Sequence, residues 1–110
     1  MKLPHGDQAL MDAELFGYCL NPYHPRGRHK ARVFESVLGI TRLHTPVLKH
    51  ALLTAAATGD AVEGESDSYG RRYVLDFEFA GPVGTGLIRS AWIIRSGEYF
   101  PRLATCYVLS

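Results

Sequence analysis

Arg72-Tyr73-Val74-Leu75-Asp76-Phe77-Glu78-Phe79-Ala80 is the stretch on which the fold turns. Tyr73, Leu75, Phe77 and Phe79 fall on one side of an extended chain and Asp76 and Glu78 on the other. The period is therefore two, and the segment is a half-buried strand. Downstream, Gly81-Pro82-Val83-Gly84-Thr85-Gly86 has hairpin chemistry. Leu87 to Arg95 follows as a second strand and Arg102 to Leu109 as a third, beyond a Gly97 to Pro101 loop. Ile88, Trp92 and Ile94 favour one buried face of the middle strand, Ala91 and Ile93 the other. The buried face stays open, and a central strand covered on both sides fits the pattern.

Working back from the strand, Asp60 to Gly70 is polar and turn-rich, with room for a short edge strand near Ala61 to Glu65. Before it the period changes to that of a helix. Val47, Leu48, Ala51, Leu52, Ala55 and Ala56 form an apolar stripe to Thr58, with Thr45 as N-cap, Pro46 at the first helical position and Gly59 as the stop. A second helix is expected from Arg28 to Leu38, burying Ala31, Phe34, Val37 and Leu38 and ending at Gly39. A third, short one starts at Asp12, with Leu15, Phe16, Cys19 and Leu20 in its stripe. Met1 to Leu10 shows only turn chemistry and reads as an arm. The fold class is α+β: two to three N-terminal helices packed on a three- to four-stranded antiparallel sheet, as one domain over residues 1–110.

Bulk properties narrow the function. A 110-residue chain buries one core without staples, and a net charge of +1 gives no global argument for nucleic acid or membrane. The distribution is more informative: residues 1–50 carry seven Lys/Arg against four Asp/Glu, residues 51–110 five against seven, and all five histidines precede residue 51. No apolar run is long enough to span a bilayer and no leader is visible, which predicts a cytoplasmic chain with no membrane partner. Cys19 and Cys106 each sit inside an apolar segment, as buried free thiols in a reducing cytosol do. Neither has the neighbours a zinc site needs, and Gly81, Gly84 and Gly86 join two strands rather than a strand and a helix, so no metal and no cofactor is expected.

The basic character is concentrated in Leu20-Asn21-Pro22-Tyr23-His24-Pro25-Arg26-Gly27-Arg28-His29-Lys30-Ala31-Arg32, a turn-rich loop running into a helix. No carboxylate occurs between Glu14 and Glu35. Cations at a helix start oppose the dipole, and the natural resident there is an anion. Pro25 holds His24 out of any helix. Lys30, Phe34 and Val37 share one register, so Lys30 is aimed along the inner surface, while Arg28 and Arg32 follow the outer edge.

This run, with Lys30-Ala31-Arg32-Val33-Phe34, Leu38-Gly39, Tyr69-Gly70-Arg71-Arg72-Tyr73, Arg89-Ser90-Ala91-Trp92 and Pro101-Arg102-Leu103-Ala104-Thr105, resembles an uncharacterised bacterial domain. That domain occurs as small stand-alone proteins and fused to phage-head or polymorphic-toxin proteins. Helices followed by an antiparallel meander are similar, more loosely, to the barnase, EndoU, colicin and RelE-like ribonucleases. The second resemblance implies RNA as partner and a metal-independent ribonuclease.

Such an enzyme needs a base for the 2′-OH, an acid for the leaving 5′-oxygen and fixed cations on the phosphate. The catalytic candidates are His24, Lys30, Arg102 and Thr105, with Tyr107 as a further hydroxyl. Arg26, Arg28, Arg32 and Arg95 would bind substrate, and Tyr73 or Tyr23 would stack a base. His29, His44 and His50 have no partner spacing and read as exposed helix residues. Two functions fit: a ribonuclease toxin neutralised by a small cognate protein, or a non-catalytic module that binds protein or nucleic acid through the same surface.

Overall fold

The computed structural model describes residues 1–12 and 19–109. The helix expected from Asp12, with Leu15 and Phe16, falls mainly on residues 13–18, outside the described residues; Cys19 and Leu20 beyond them are helical and buried. Two helices, α1 (Arg28–Val33) and α2 (Thr45–Thr58), pack on an antiparallel sheet. The sheet runs in the order β1 (Ala61–Asp67), β2 (Gly70–Ala80), β3 (Thr85–Arg95), β4 (Arg102–Leu109). This is the α+β arrangement expected. No helix among the described residues is long and apolar enough to cross a membrane.

The face of β3 left open by the sequence is settled by burial. Ile88, Ser90, Trp92 and Ile94 face the helices and are buried, whereas Leu87, Arg89, Ala91 and Ile93 lie on the other, partly open face. Tyr73 and Leu75 join the core from β2, and Leu103, Cys106 and Val108 from β4. On that buried face Trp92 donates its indole N–H to Ser90 Oγ (2.9 Å), and Ser90 donates in turn to the Leu75 carbonyl (2.7 Å). Ser90, the buried polar residue of this core, is thereby satisfied on both sides.

The stripe of α2 is buried at Leu48, Leu52, Ala55 and Ala56, and Val47 is exposed. Thr45 is the first residue of the helix rather than its cap. A 3-10 turn, Arg42–His44, precedes it, capped by Thr41, whose Oγ1 accepts from the Leu43 N–H while its own N–H donates to His44 Nδ1. The Arg28 to Leu38 helix is realised in two parts: α1 and then a wider π turn, Phe34–Leu38, closed by Gly39 at φ 74°. The wide turn carries Phe34 and Leu38 into the core.

The N-terminal segment is not an arm. Leu3 and Ala9 are buried, Lys2 bridges Asp60, Leu10 bridges Arg102, and the Met1 amino group bonds the Asp60 carboxylate. A segment of this kind carries no period, because its two anchors are set by what they plug and not by a repeating element.

The β2–β3 hairpin is seated on the π turn by backbone. A Cβ at Gly81 would stand 2.1 Å from the Leu38 carbonyl oxygen and one at Gly84 2.7 Å from that of Val37. Gly81→Ala is expected to lower stability by about 1–3 kcal/mol, the usual scale of overpacking against backbone that cannot yield. Urea denaturation of the two proteins checks it.

Candidate functional site

Thr105 is aimed by an irregularity. The β3–β4 register shifts between Ala91 and Trp92, with Ala91 opposite Thr105 and Trp92 opposite Leu103, so Ala104 is an extra residue on β4. The bulge restarts the alternation. Leu103 and Cys106 both face the core, and Thr105 and Tyr107 stand on the side not packed into it. Lys30, half-buried on α1, reaches across to this edge strand, where its Nζ donates to Thr105 Oγ1 at 2.8 Å and lies 5.5 Å from the centre of the Tyr107 ring. A shallow pocket of about 370 Å³ opens beside the ammonium, lined by His29, Lys30, Val33, Tyr107, Val108 and Leu109.

The other candidates are placed elsewhere. His24 Nδ1 accepts from the backbone N–H groups of Arg26 (3.1 Å) and Gly27 (3.2 Å), and its carbonyl takes the Arg28 N–H (2.9 Å). His24 thus takes one helix-start donor, the Arg28 N–H, on its carbonyl and two donors of the preceding turn on its ring. It does not line the Lys30 pocket. Arg102 is held by Glu98 through Nε (3.0 Å) and Nη2 (2.9 Å), with its guanidinium over the Phe100 ring. With Arg95, Asp12 and Leu10 it lines a separate hollow of about 320 Å³. The expected convergence of His24, Lys30, Arg102 and Thr105 is reduced to Lys30 and Thr105.

Arg26, Arg28 and Arg32 are exposed on the loop and α1. Tyr73 offers no ring to a base: it is 1% exposed, in the core opposite Trp92. Tyr23 is 84% exposed and borders a hollow of about 290 Å³ with Leu20, Glu35 and Leu43. His29, read from the sequence as an ordinary exposed residue, shares the Lys30 pocket. No spacing marks it in the sequence, because adjacent helix residues point about 100° apart and do not share an edge.

Cys19 and Cys106 are both buried free thiols. A hydrogen bond from the Cys106 thiol, joined by the Cys106 backbone N–H, the nearby Lys30 charge and the Thr105 hydroxyl, draws Cys19 below the usual thiol range against the opposing effect of burial. The same bond to Cys19, together with burial, pushes Cys106 up.

On the open sheet face Arg89 binds both oxygens of Asp76 at 2.9 Å and sits opposite Tyr107. The Arg89 hydrogen bonds hold the Asp76 carboxyl below its usual range. A carboxyl depressed in the fold contributes stability that is complete above its unfolded value, about 4, and is lost as pH falls through the lower folded value. Stability is therefore expected to decline below about pH 4, and Asp76→Asn to flatten part of that decline, as read from urea midpoints at about pH 7 and about pH 3.

The family described as a domain of unknown function, DUF6883, matches residues 2–110. The chain belongs to this family. No curated protein matches its sequence. A chain in the solved structure of a contact-dependent growth inhibition toxin–immunity protein complex from Klebsiella pneumoniae 342 is similar to this DUF6883 domain, with a TM-score of 0.66. The match covers 90% of this chain and 98% of that one at 18% identity, a likeness of fold.

Proposed function

We propose that this DUF6883 protein is a small metal-independent ribonuclease that acts as a toxin in the cytoplasm of the cell it poisons and is neutralised by a small cognate protein. The observation that carries the reading is the Lys30 ammonium, fixed by Thr105 and Tyr107 at the mouth of an open pocket. A cation held in place before substrate arrives stabilises the charge that develops on a phosphate at no further cost in reorganisation. His29 on the same pocket supplies an imidazole, a side chain able to give or take a proton. Arg26, Arg28 and Arg32 give an exposed basic approach for an RNA backbone, and the exposed Tyr23 a ring on which a base can stack. The likeness in fold to a chain of a toxin–immunity complex supports both the toxin reading and the protein partner.

The second reading, a non-catalytic binding module, is favoured by the occupation of two expected catalytic groups, His24 in its turn and Arg102 by Glu98. Induced expression in a bacterial host separates the two. The ribonuclease arrests growth and degrades RNA, and Lys30→Ala relieves the arrest. Harmless expression of folded wild-type protein sinks the toxin reading.

A further inference from the structure

Three rings that the proposed site leaves unused gather where the chain enters β4. Tyr99 and Phe100 lie in the loop that leads into the strand, and His5 comes to them from the N-terminal segment. His5 and Tyr99 meet edge to face at 5.5 Å and Tyr99 and Phe100 at 5.3 Å, with interplanar angles of 81° and 88°. Tyr99 is thus steadied by two rings and is still 59% exposed. The Arg102 guanidinium lies 5.1 Å from the centre of the Phe100 ring, and Arg95 lines the same hollow as Arg102.

His5 is held in a strained conformation. Its φ of 52° is left-handed, and among the described residues no other side chain outside glycine adopts a positive φ. Leu3 and Gly6, buried on either side, fix it there, and Gly6 packs so closely that a Cβ would collide with the Ala56 carbonyl oxygen. The ring so presented is exposed and fills no part of the core. Strain that neighbours over-determine is typical of residues that meet a ligand. The cluster also lies in line with the Lys30–Thr105 pair. Arg102 stands opposite Ile93 and Thr105 opposite Ala91, so both are on the open face of the sheet, about 7 Å apart along the strand.

We propose that Tyr99, its ring fixed by His5 and Phe100, is a stacking platform for a base of single-stranded RNA whose backbone runs along β4 to Lys30. RNA as the ligand rests on the ribonuclease reading; the platform is a second binding site beyond the Lys30 pocket. Glu98 already holds Arg102 in a two-point ion pair. This end of the track therefore offers a π-face more than net charge, and attraction of the phosphates stays with the cations of the loop and α1.

Isothermal titration of the full chain with a 2′-O-methyl hexauridylate tests this, because the methylated 2′-oxygen blocks cleavage and binding is read alone. Tyr99→Ala is expected to weaken binding at least about fivefold, the loss when one base–ring stack is removed, with the salt dependence unchanged. Tyr99→Phe keeps the ring and should bind as wild type does. His5→Asn, whose side chain tolerates the left-handed backbone but carries no ring, should fall between wild type and Tyr99→Ala. Urea midpoints equal to that of wild type show that a loss of binding is not unfolding. Equal hexauridylate affinity in wild type and Tyr99→Ala, with ordinary RNA cleaved by both, would overturn the platform and leave the ribonuclease standing. Binding that depends on Tyr99 without cleavage of ordinary RNA would sink the ribonuclease and keep the platform. A loss with Tyr99→Phe as large as with alanine, or no binding by wild type at all, overturns the proposal.

Discussion

Lys30→Ala is expected to lower RNA cleavage by about 10²–10³-fold while leaving the fold intact. That range is what removal of one preorganised charge-stabilising group costs an enzyme. Lys30 fits the role because its ammonium is already placed: Thr105 Oγ1 holds it at 2.8 Å and the Tyr107 ring lies beneath it at 5.5 Å. Lys30→Met separates charge from packing. It keeps an unbranched apolar stem along α1, so a structural role for the lysine would survive it and an electrostatic one would not. Arginine is no simple rescue, since its planar fork is longer and directs its donors differently from an ammonium. Thr105→Val keeps the shape and removes the hydroxyl acceptor; cleavage is expected to fall less than for Lys30→Ala, because the charge remains and only its placement loosens. Equal cleavage by wild type and Lys30→Met, with matching circular dichroism, would remove Lys30 from the chemistry.

The largest effect on stability is expected at Trp92. Trp92→Ala should cost about 3–5 kcal/mol, the transfer free energy of a fully buried aromatic plus the cavity it leaves. The indole is 0% exposed at the centre of the sheet's inner face, among Tyr73, Leu103 and residues from the helices. It also anchors a short polar chain through Ser90 to the Leu75 carbonyl. Trp92→Phe isolates the polar part: most of the area stays, the N–H goes, and Ser90 keeps its own donation, so the loss should be about 0.5–1.5 kcal/mol beyond the reduced packing. Urea midpoints of the two variants check the order. A phenylalanine variant as damaged as the alanine one would show that the hydrogen-bonded chain, and not the packing, dominates.

The strands were legible because alternation is local. Leu75, Phe77 and Phe79, with Asp76 and Glu78 between them, locate β2 without knowledge of anything else in the chain, and the glycines of the hairpin point to β3 beside it. Helix α2 was legible for the same reason, ending at Thr58 as its stripe does and beginning one residue before the expected start, at Thr45. The buried face of β3 was not, because Ala91 and Ile93 on the open side are as apolar as their neighbours on the core side. The plugging of Leu3 and Ala9 was hidden by the lack of any period, and the π turn by the four-residue spacing of Phe34 and Leu38, which suits an α-helix equally.

At the site, the register argument placed Lys30 correctly on the side facing the sheet. Its contact with Thr105 depends on the extra residue at Ala104, and no composition or spacing marks that bulge. His24 was read for the chemistry of its ring, but its position two and three residues before Arg26 and Gly27 lets the ring nitrogen close the turn on their N–H groups. Arg102 was read as a free clamp although Glu98 stands four residues earlier, at a distance the tight loop before β4 closes into a two-point ion pair.

The most direct measurement is incubation of the purified wild-type chain with total bacterial RNA in the presence of EDTA, followed by mapping of the new ends. Discrete fragments carrying 2′,3′-cyclic phosphate, produced by wild type and lost with Lys30→Met, are the expected result; RNA left intact by folded wild-type protein in molar excess would contradict a ribonuclease at this site.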